Sequence, residues 1–315
     1  MIWSALDLFV RTILYGWVIS LLELLKMLCR RRPPKTPGEH RPTQSGCVRI
    51  DHPAFVRPDP LIYSQKYLRA QGLAVTYNNP DITLFKAGVP VSSSAIDAST
   101  TYEVRARIWN SSTEAPVIHM PVHLSFRTFG IGNETVPVTS THVDVGVLGS
   151  PNQPAFATML WTTPPTTGHY CLLVQLDPYD DSNPANNLGQ ENTNVIAATS
   201  PAVFEFKLSN DTQQRRQYRF EVDAYQIPEL PKCGDVKPDK DAMLRIHRPE
   251  MHPVPAGFAV QIEPRTPALD PAESVLITVT VDPPAGFIGQ QTINVNALHE
   301  QGLAGGVTLT TVKEV

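Results

Sequence analysis

The chain has 315 residues, of which 42% are hydrophobic and 18% are charged, and its net charge is −4. This length predicts two domains of ordinary size plus an appendage, and the apolar content excludes a chain that is disordered throughout. The charge is unevenly spread, since residues 30–46 carry +4 and residues 47–315 carry −8. A nucleic-acid-binding domain is basic over its folded part, so we expect no nucleic-acid partner.

Residues 1–29 are rich in Leu, Ile, Val, Phe and Trp and contain no proline. A helix over this segment would reach ~40 Å, which is enough to cross a bilayer. The sequence therefore predicts an N-terminal hydrophobic membrane helix, with Trp3 and Trp17 as anchors at the interfaces. Asp7, Arg11 and Lys26 share one helical face, so an amphipathic helix in the membrane surface, or one packed on a partner, stays open.

Residues 30–46 read RRRPPKTPGEHRPTQSG and show no hydrophobic periodicity. Four prolines predict an extended, semi-rigid linker between the helix and the rest of the chain. Its first basic residues are expected to contact anionic lipid headgroups. The same charges would place the following domains in the cytoplasm by the positive-inside rule, and the side of the membrane stays open. These lipid-contacting residues are Arg30, Arg31, Arg32 and Lys35.

The four cysteines show no C-x-x-C spacing, so neither a zinc ribbon nor a thioredoxin-type motif is expected. Cys171 lies in an apolar run and is interpreted as a small buried hydrophobic residue. Whether Cys47 and Cys233 are bridged stays open, because no pattern in the sequence decides it.

Residues 47–200 show the alternation that is typical of strands. In TTYEVRARIW the apolar side chains from Tyr102 to Ile108 fall on one face, and charged side chains fall on the other. Turn residues separate such runs, and no helical pattern lies between them, so a β-sandwich is predicted. Six residues are expected to form the opposing wall of its core: Met159, Trp161, Tyr170, Leu172, Val174 and Leu176.

Residues 201–315 contain six further strand candidates and predict a second sandwich. In SVLITVTV the four residues Val275, Ile277, Val279 and Val281 share one face, and threonines occupy the other. Residues 228–255 lack strand pattern and form a proline-rich loop, which is a candidate contact surface for other proteins.

Several motifs of the first sandwich resemble the CARDB-type immunoglobulin-like domains of bacterial surface and secreted proteins. They are NPDITLF (79–85), IWN (108–110), GHYCLLVQL (168–176) and the asparagine-rich NPANN before QENTNV. In the second sandwich FKLSN, LDPAES and PPAGFIGQQTINVNA are similar to the NEW-type immunoglobulin-like module of bacterial α-galactosidases and surface proteins. The resemblance implies an all-β fold of two tandem immunoglobulin-like sandwiches and an accessory role in adhesion or spacing, not a reaction.

Two clusters of polar residues contain side chains of the kind that bind metal ions. An oxygen-rich loop made of Asp177, Asp180, Asp181 and Asn183 could hold Ca²⁺, although it does not match the EF-hand pattern, and a turn formed by Asx residues explains it equally well. His247, Glu250 and His252 invite comparison with zinc hydrolases, but the two histidines are five apart with Pro249 between them. Three asparagines begin N-x-S/T triplets, which matter only in an exported chain: Asn110, Asn133 and Asn210.

The sequence thus predicts a membrane-anchored, non-enzymatic structural or interaction protein, with no catalytic residue and no cofactor. Its partners are the membrane, through residues 1–29, and other protein subunits of a homo- or hetero-oligomer, through the sandwich edges and the 228–255 loop. A carbohydrate- or Ca²⁺-binding surface adhesion module is the first alternative, and a zinc hydrolase is the second.

Overall fold

A computed structural model describes residues 57–93, 96–165, 169–192, 196–197, 201–228, 240–300 and 302–313. The predictions for the membrane helix and linker, including Trp3, Trp17 and the basic residues 30–35, lie outside these ranges. Cys29, Cys47 and Cys233 lie outside them as well. In the part that is described, the chain is an all-β protein, as predicted.

Two packed antiparallel sheets form the first sandwich. In one sheet the central strand β4 pairs with β1, β2 and β8. Strand β3 extends this sheet by pairing with β2. The other sheet has the order β10-β9-β5-β7. The strands are β1 (Pro60–Leu61), β2 (Ile82–Lys86), β3 (Val89–Val91), β4 (Thr101–Asn110), β5 (Val117–Thr128), β6 (Gly130–Ile131), β7 (Val136–Val145), β8 (Ala155–Thr162), β9 (Tyr170–Leu176) and β10 (Leu188–Asn192).

The predicted faces of the first sandwich are confirmed. On β4 the side chains of Tyr102, Val104, Ala106 and Ile108 are buried, and the intervening charged side chains are half-buried on the outer face. All six residues of the predicted opposing wall are buried too, and Trp161 meets Tyr170 edge-on at 5.9 Å between ring centroids. Because successive strand residues point to opposite faces, this alternation fixed which side of each strand enters the core.

The second sandwich also has two sheets. Their orders are β15-β17-β12-β6 and β11-β19-β18-β14, and β13 pairs with β16 separately. The strands are β11 (Ile196–Ala197), β12 (Ala202–Ser209), β13 (Arg216–Gln217), β14 (Arg219–Asp223), β15 (Ala259–Glu263), β16 (Ala268–Leu269), β17 (Ser274–Asp282), β18 (Gly289–His299) and β19 (Gly302–Lys313). As predicted, the core face of β17 carries Ile277, Val279 and Val281, which are buried, and Val275, which is partly buried.

Helical structure is sparse. Helix α1 spans Gln65–Ala70 and helix α2 spans Lys240–Arg245, and short 3-10 turns lie at Pro184–Asn186 and Pro249–Met251. Within the described ranges we find no helix with the length and hydrophobicity needed to span a bilayer. The predicted loop 228–255 therefore contains α2 and one 3-10 turn over its described part, residues 228 and 240–255.

The asparagines of the three glycosylation triplets are buried in the fold. Asn110 accepts hydrogen bonds from the backbone N–H groups of Asp59 (3.1 Å) and Ser112 (3.0 Å), and donates to the carbonyls of Ala115 and Gly146. Asn133 and Asn210 likewise donate to backbone carbonyls. All three side chains therefore serve as turn-stabilising hydrogen-bond centres in the folded chain.

Candidate functional site at the junction of the two sandwiches

The segment from Asp59 to Asp81 lies between the two sandwiches and forms a third apolar cluster of its own. Helix α1 in this segment contacts β19 of the second sandwich. Its buried apolar side chains cover surface that a free sandwich would expose to water. The cluster consists of Leu61, Tyr63, Tyr67, Leu68, Leu73, Val75 and Tyr77, with Trp109 and Ile227 packed against it.

Tyr77 joins this segment to the second sandwich. Its backbone N–H donates to Oγ1 of Thr308 on β19 (2.7 Å), and its hydroxyl donates to Oδ1 of Asn296 on β18 (3.4 Å). A Cβ at Gly306 would overlap the Tyr77 ring, so glycine is required for this close approach. The two sandwiches therefore meet through hydrogen-bonded groups that are buried.

A buried carboxylate organises the second-sandwich side of the junction. Asp223 accepts hydrogen bonds from Nδ2 of Asn294 (2.7 Å), from Nδ2 of Asn296 (3.2 Å) and from the backbone N–H of Tyr225 (3.0 Å). Thr308 in turn donates to Oδ1 of Asn294 at 2.7 Å. Burial raises the pKa of Asp223, and the Asn294 and Tyr225 hydrogen bonds oppose that rise.

A second buried carboxyl group lies on the first-sandwich side. Glu191 on β10 accepts a hydrogen bond from the backbone N–H of Asn79. Burial raises the pKa of Glu191 to about 8, against hydrogen bonds from Ser93 and Asn79 that lower it. Its carboxyl group is therefore largely protonated at neutral pH, as expected for an acid that is buried with no cationic partner among the described residues.

Gln65 of α1 connects the helix to β10. Its Nε2 donates to the carbonyls of Thr76 (3.1 Å) and Gln190 (2.7 Å), and its Oε1 accepts from the N–H of Gln190 (3.2 Å). Asn192 continues the chain of contacts, because its backbone N–H donates to the carbonyl of Tyr77 at 2.7 Å. The buried polar groups of this network, from side chains and backbone, thus form hydrogen bonds with one another.

A second seam connects the sandwiches through strand β6. The short strand β6 follows β5 directly, yet it pairs in parallel with β12 of the second sandwich. Gly130 and Gly132 have φ angles of 143° and 70°, and a Cβ on either would overlap a backbone carbonyl of Lys207 or Ser209. Ser209 also donates to Oδ1 of Asn133 at 3.0 Å.

The residues compared with zinc hydrolases have separate partners, although the rings of His247 and His252 both pack against Tyr225. His247 is buried at the junction, where its Nδ1 lies 2.8 Å from the Tyr225 hydroxyl, and its carbonyl accepts from the N–H of Ala74 (2.7 Å). Burial lowers the pKa of His247 to about 4, and nearby His252 lowers it further. Glu250 is exposed and lies next to Arg248. His247 is therefore a neutral packing residue of the junction in this arrangement.

The residues of the oxygen-rich loop that could hold Ca²⁺ have separate partners. Asp180 pairs with Arg57, and Asp177 lies 3.6 Å from His123. Asp181 is buried and accepts from Nδ2 of Asn187 (2.6 Å) and from the N–H of Asn183 (2.8 Å). In the described residues no group of three or more His, Cys, Asp or Glu side chains is arranged to hold a metal ion. Of the two alternatives for this loop, a calcium site or an Asx turn, the contacts of Asp181 are those of an Asx turn.

No protein-family model and no curated protein sequence matches this chain. Among solved structures, the chain is similar to the CupB2 chaperone of Pseudomonas aeruginosa, with 15% identity over 38% of this chain and 52% of the chaperone and a TM-score of 0.25. It is similar to Escherichia coli alpha-2-macroglobulin activated by porcine elastase (8% identity, 74% of this chain, 22% of that chain, TM-score 0.24). Red sea bream transglutaminase gives 8% identity over 80% of this chain and 33% of that chain, with a TM-score of 0.22.

Sequence reasoning missed the junction. Asn294 and Asn296 alternate with the buried residues Ile293, Val295 and Ala297 on β18, which indicates a solvent-facing position, yet both asparagines are 0% exposed. On β18 and β19 both faces are covered, one by the sandwich core and the other by the segment containing Tyr77. The sequence contained one signal of this second buried face: the outward positions of β18 and β19, in NVN (294–296) and TLTT (308–311), are polar but uncharged.

Proposed function

We propose that this protein is a non-enzymatic interaction protein, in which two coupled sandwiches dock other protein subunits at a sheet edge. The observation that carries the proposal is a surface groove of about 790 Å³ along β15, lined by residues Val260–Arg265. Among the described strands, β15 pairs with β17 alone, so its other edge offers backbone N–H and C=O groups.

An edge of this kind suits a partner that adds one extended strand. Main-chain hydrogen bonds would supply affinity, and the alternating side chains of the partner would supply specificity. Gln261 and Glu263 are exposed on β15, whereas Ile262 points into the core. One face of β15 is therefore anchored in the core, and the other face is exposed to solvent.

The junction supports a structural role rather than a catalytic one. Asp223, Glu191 and His247 are buried and engage neighbouring amides, backbone groups or a tyrosine. In a scaffold, such contacts hold two modules at a fixed angle, so that a partner bound on one module keeps its orientation to the other. We also propose that both sandwiches are immunoglobulin-like domains.

Residues 1–29 would attach the scaffold to a membrane, as the apolar composition of that segment indicates. Deleting residues 1–29 is expected to release the protein from membranes after a high-salt wash, because residual attachment through basic residues is screened by salt. A truncated chain that still sediments with membranes would contradict the anchor.

The docking edge is tested by affinity purification of the full chain in mild detergent. Gln261→Lys places a charge on the exposed side of β15, which hinders strand addition without touching the core. We expect the co-purifying proteins to be lost with this variant and retained with Val203→Lys, a matched change at a half-exposed position on β12. Equal recovery of partners with both variants would refute docking at β15.

A further inference from the structure

The groove beside the free edge of β15 has the size of one further strand. A strand as long as β15 is ~17 Å long and needs roughly 800 Å³, given ~4.8 Å between strands and ~10 Å between layers. The groove has about 790 Å³. We propose that its occupant is a segment of another protein with the pattern basic–apolar–polar–apolar–basic. This inference rests on the proposed docking at β15 and names the chemistry of the partner.

The inward positions of the added strand adjoin an apolar row. Ile262 is buried and Val260 is partly buried against the core of the second sandwich. Their neighbours on β17 are the buried residues Val279 and Val281. Because side chains opposite each other on one face lie ~4.5–5.5 Å apart, the partner residues opposite Val260 and Ile262 would extend this row. These two positions therefore call for apolar side chains.

The outward side of the edge is acidic at Glu263. This residue is exposed, and its row continues through Thr278 of β17 to Glu205 of β12, which is exposed too. Neither glutamate side chain forms an ion pair with a described residue. Lys207 shares the outer face but lies on β12, two strands away from the edge. Opposite charges across a strand pair are favourable and like charges are not, so a lysine or arginine fits opposite Glu263.

The other end of β15 requires a second basic residue. Ala259 is exposed there and faces Asp282 of β17. The alanine side chain is a single methyl group, so a long basic side chain opposite Ala259 can lie over it and reach towards Asp282. Gln261 is exposed between the two ends, and its neighbour Thr280 is uncharged. The partner thus carries two basic residues four positions apart, with a polar residue midway.

A second copy of β15 fits this edge poorly. Antiparallel pairing about a two-fold axis at Gln261 would place Glu263 opposite Ala259 of the copy, whose neighbour in that row is Asp282. Acidic groups of the two copies would then approach each other, and in-register parallel pairing would place Glu263 opposite itself. Arg265 lines the groove beyond the last residue of β15 and so lies past the paired positions. The charges therefore favour a basic segment from another protein.

The experiment measures the fluorescence anisotropy of labelled peptides with the full chain in a non-ionic detergent. The basic peptide is Gly-Ser-Lys-Val-Thr-Val-Lys-Ser-Gly, and the acidic peptide has glutamate in place of both lysines. A third peptide keeps the lysines but has prolines in place of the first valine and the threonine, so that a backbone donor facing β15 is lost in either register. Both ends of each peptide are blocked to remove the terminal charges.

The basic peptide is expected to bind about fivefold more tightly than the acidic one, and the proline peptide should bind weakly. The preference should fade in ~1 M salt, because the charges at this edge are exposed. Glu263→Lys should reverse the preference. Glu114→Lys is the matched control, since Glu114 is exposed in the first sandwich and the change in net charge is the same. It should leave the preference as in the wild type.

The outcomes separate this inference from the docking edge itself. Equal binding of the basic and acidic peptides, with weak binding of the proline peptide, would keep docking at β15 and overturn the basic partner. No binding of any peptide would overturn both. Equal binding of the basic and proline peptides, or a reversal with Glu114→Lys as well, would show attraction to the net charge of the protein, which also overturns the inference.

Discussion

The hydroxyl of Tyr225 lies 2.8 Å from Nδ1 of His247, and the two rings meet edge-on at the junction of the sandwiches. Nε2 of the same histidine is buried and has no hydrogen-bond partner among the described residues. A charged imidazolium would need two acceptors, and the site supplies one. The histidine is therefore kept neutral by its surroundings, which couples the stability of the junction to pH.

Acid is expected to weaken the fold through His247. Its folded-state pKa is lowered from 6.5 to about 4, so the unfolded chain binds the proton more tightly. The contribution of this group is complete above pH 6.5 and is lost as pH falls towards 4, up to about 3 kcal/mol. Urea unfolding at a series of pH values should show a shallower acid decline for His247→Asn than for the wild type. Parallel curves for both proteins would contradict the prediction.

Glu191 is expected to act in the opposite direction. Its folded-state pKa is raised from 4.5 to about 8, so its contribution is complete below pH 4.5 and is lost as pH rises towards 8. Glu191→Gln stays neutral and keeps an acceptor for the Asn79 N–H. At pH 8 the variant should be more stable than the wild type, by about 1.4 kcal/mol per unit of pKa shift at most.

The control for this prediction is Glu205→Gln, since Glu205 is exposed on β12. It should leave the difference between pH 5 and pH 8 unchanged in urea unfolding. If Glu191→Gln and Glu205→Gln gave the same pH profile, the buried carboxyl group would not be the cause.

The seam between β6 and β12 gives a prediction about glycine. Gly130→Ala adds a Cβ that overlaps the Lys207 carbonyl, and it also strains a backbone with a φ of 143°. We expect a loss of roughly 2–5 kcal/mol, from strain and overpacking together. Gly286→Ala is the matched control, because Gly286 has a φ of 79° but no atom within 4 Å of its Cβ position. Chemical denaturation should separate the two, and similar losses would show that steric overlap at the seam is unimportant.

The core faces could be predicted, and the junction could not. Alternation decides which face of β4 or β17 is buried, because the side-chain period of a strand is two residues. It cannot tell that the outer face of β18 is covered by residues that come more than 200 positions earlier, such as Tyr77.

The junction contains buried side-chain amides, and Asn110, which accepts a hydrogen bond from Asp59 at the start of the junction segment, tests whether such an amide can be replaced by a carboxylate. Its Nδ2 donates to the carbonyls of Ala115 (2.9 Å) and Gly146 (3.1 Å). Asn110→Asp keeps the shape but removes both donors and places a carboxylate against two carbonyl oxygens. A loss of roughly 2–5 kcal/mol in urea unfolding is expected at neutral pH, since a buried unpaired charge costs more than a lost neutral hydrogen bond. The loss should shrink as pH falls and the new carboxyl group becomes protonated, whereas Asn152→Asp, at an exposed turn position, should unfold like the wild type at every pH. A pH-independent loss for Asn110→Asp would mean that shape, not charge, decides this site.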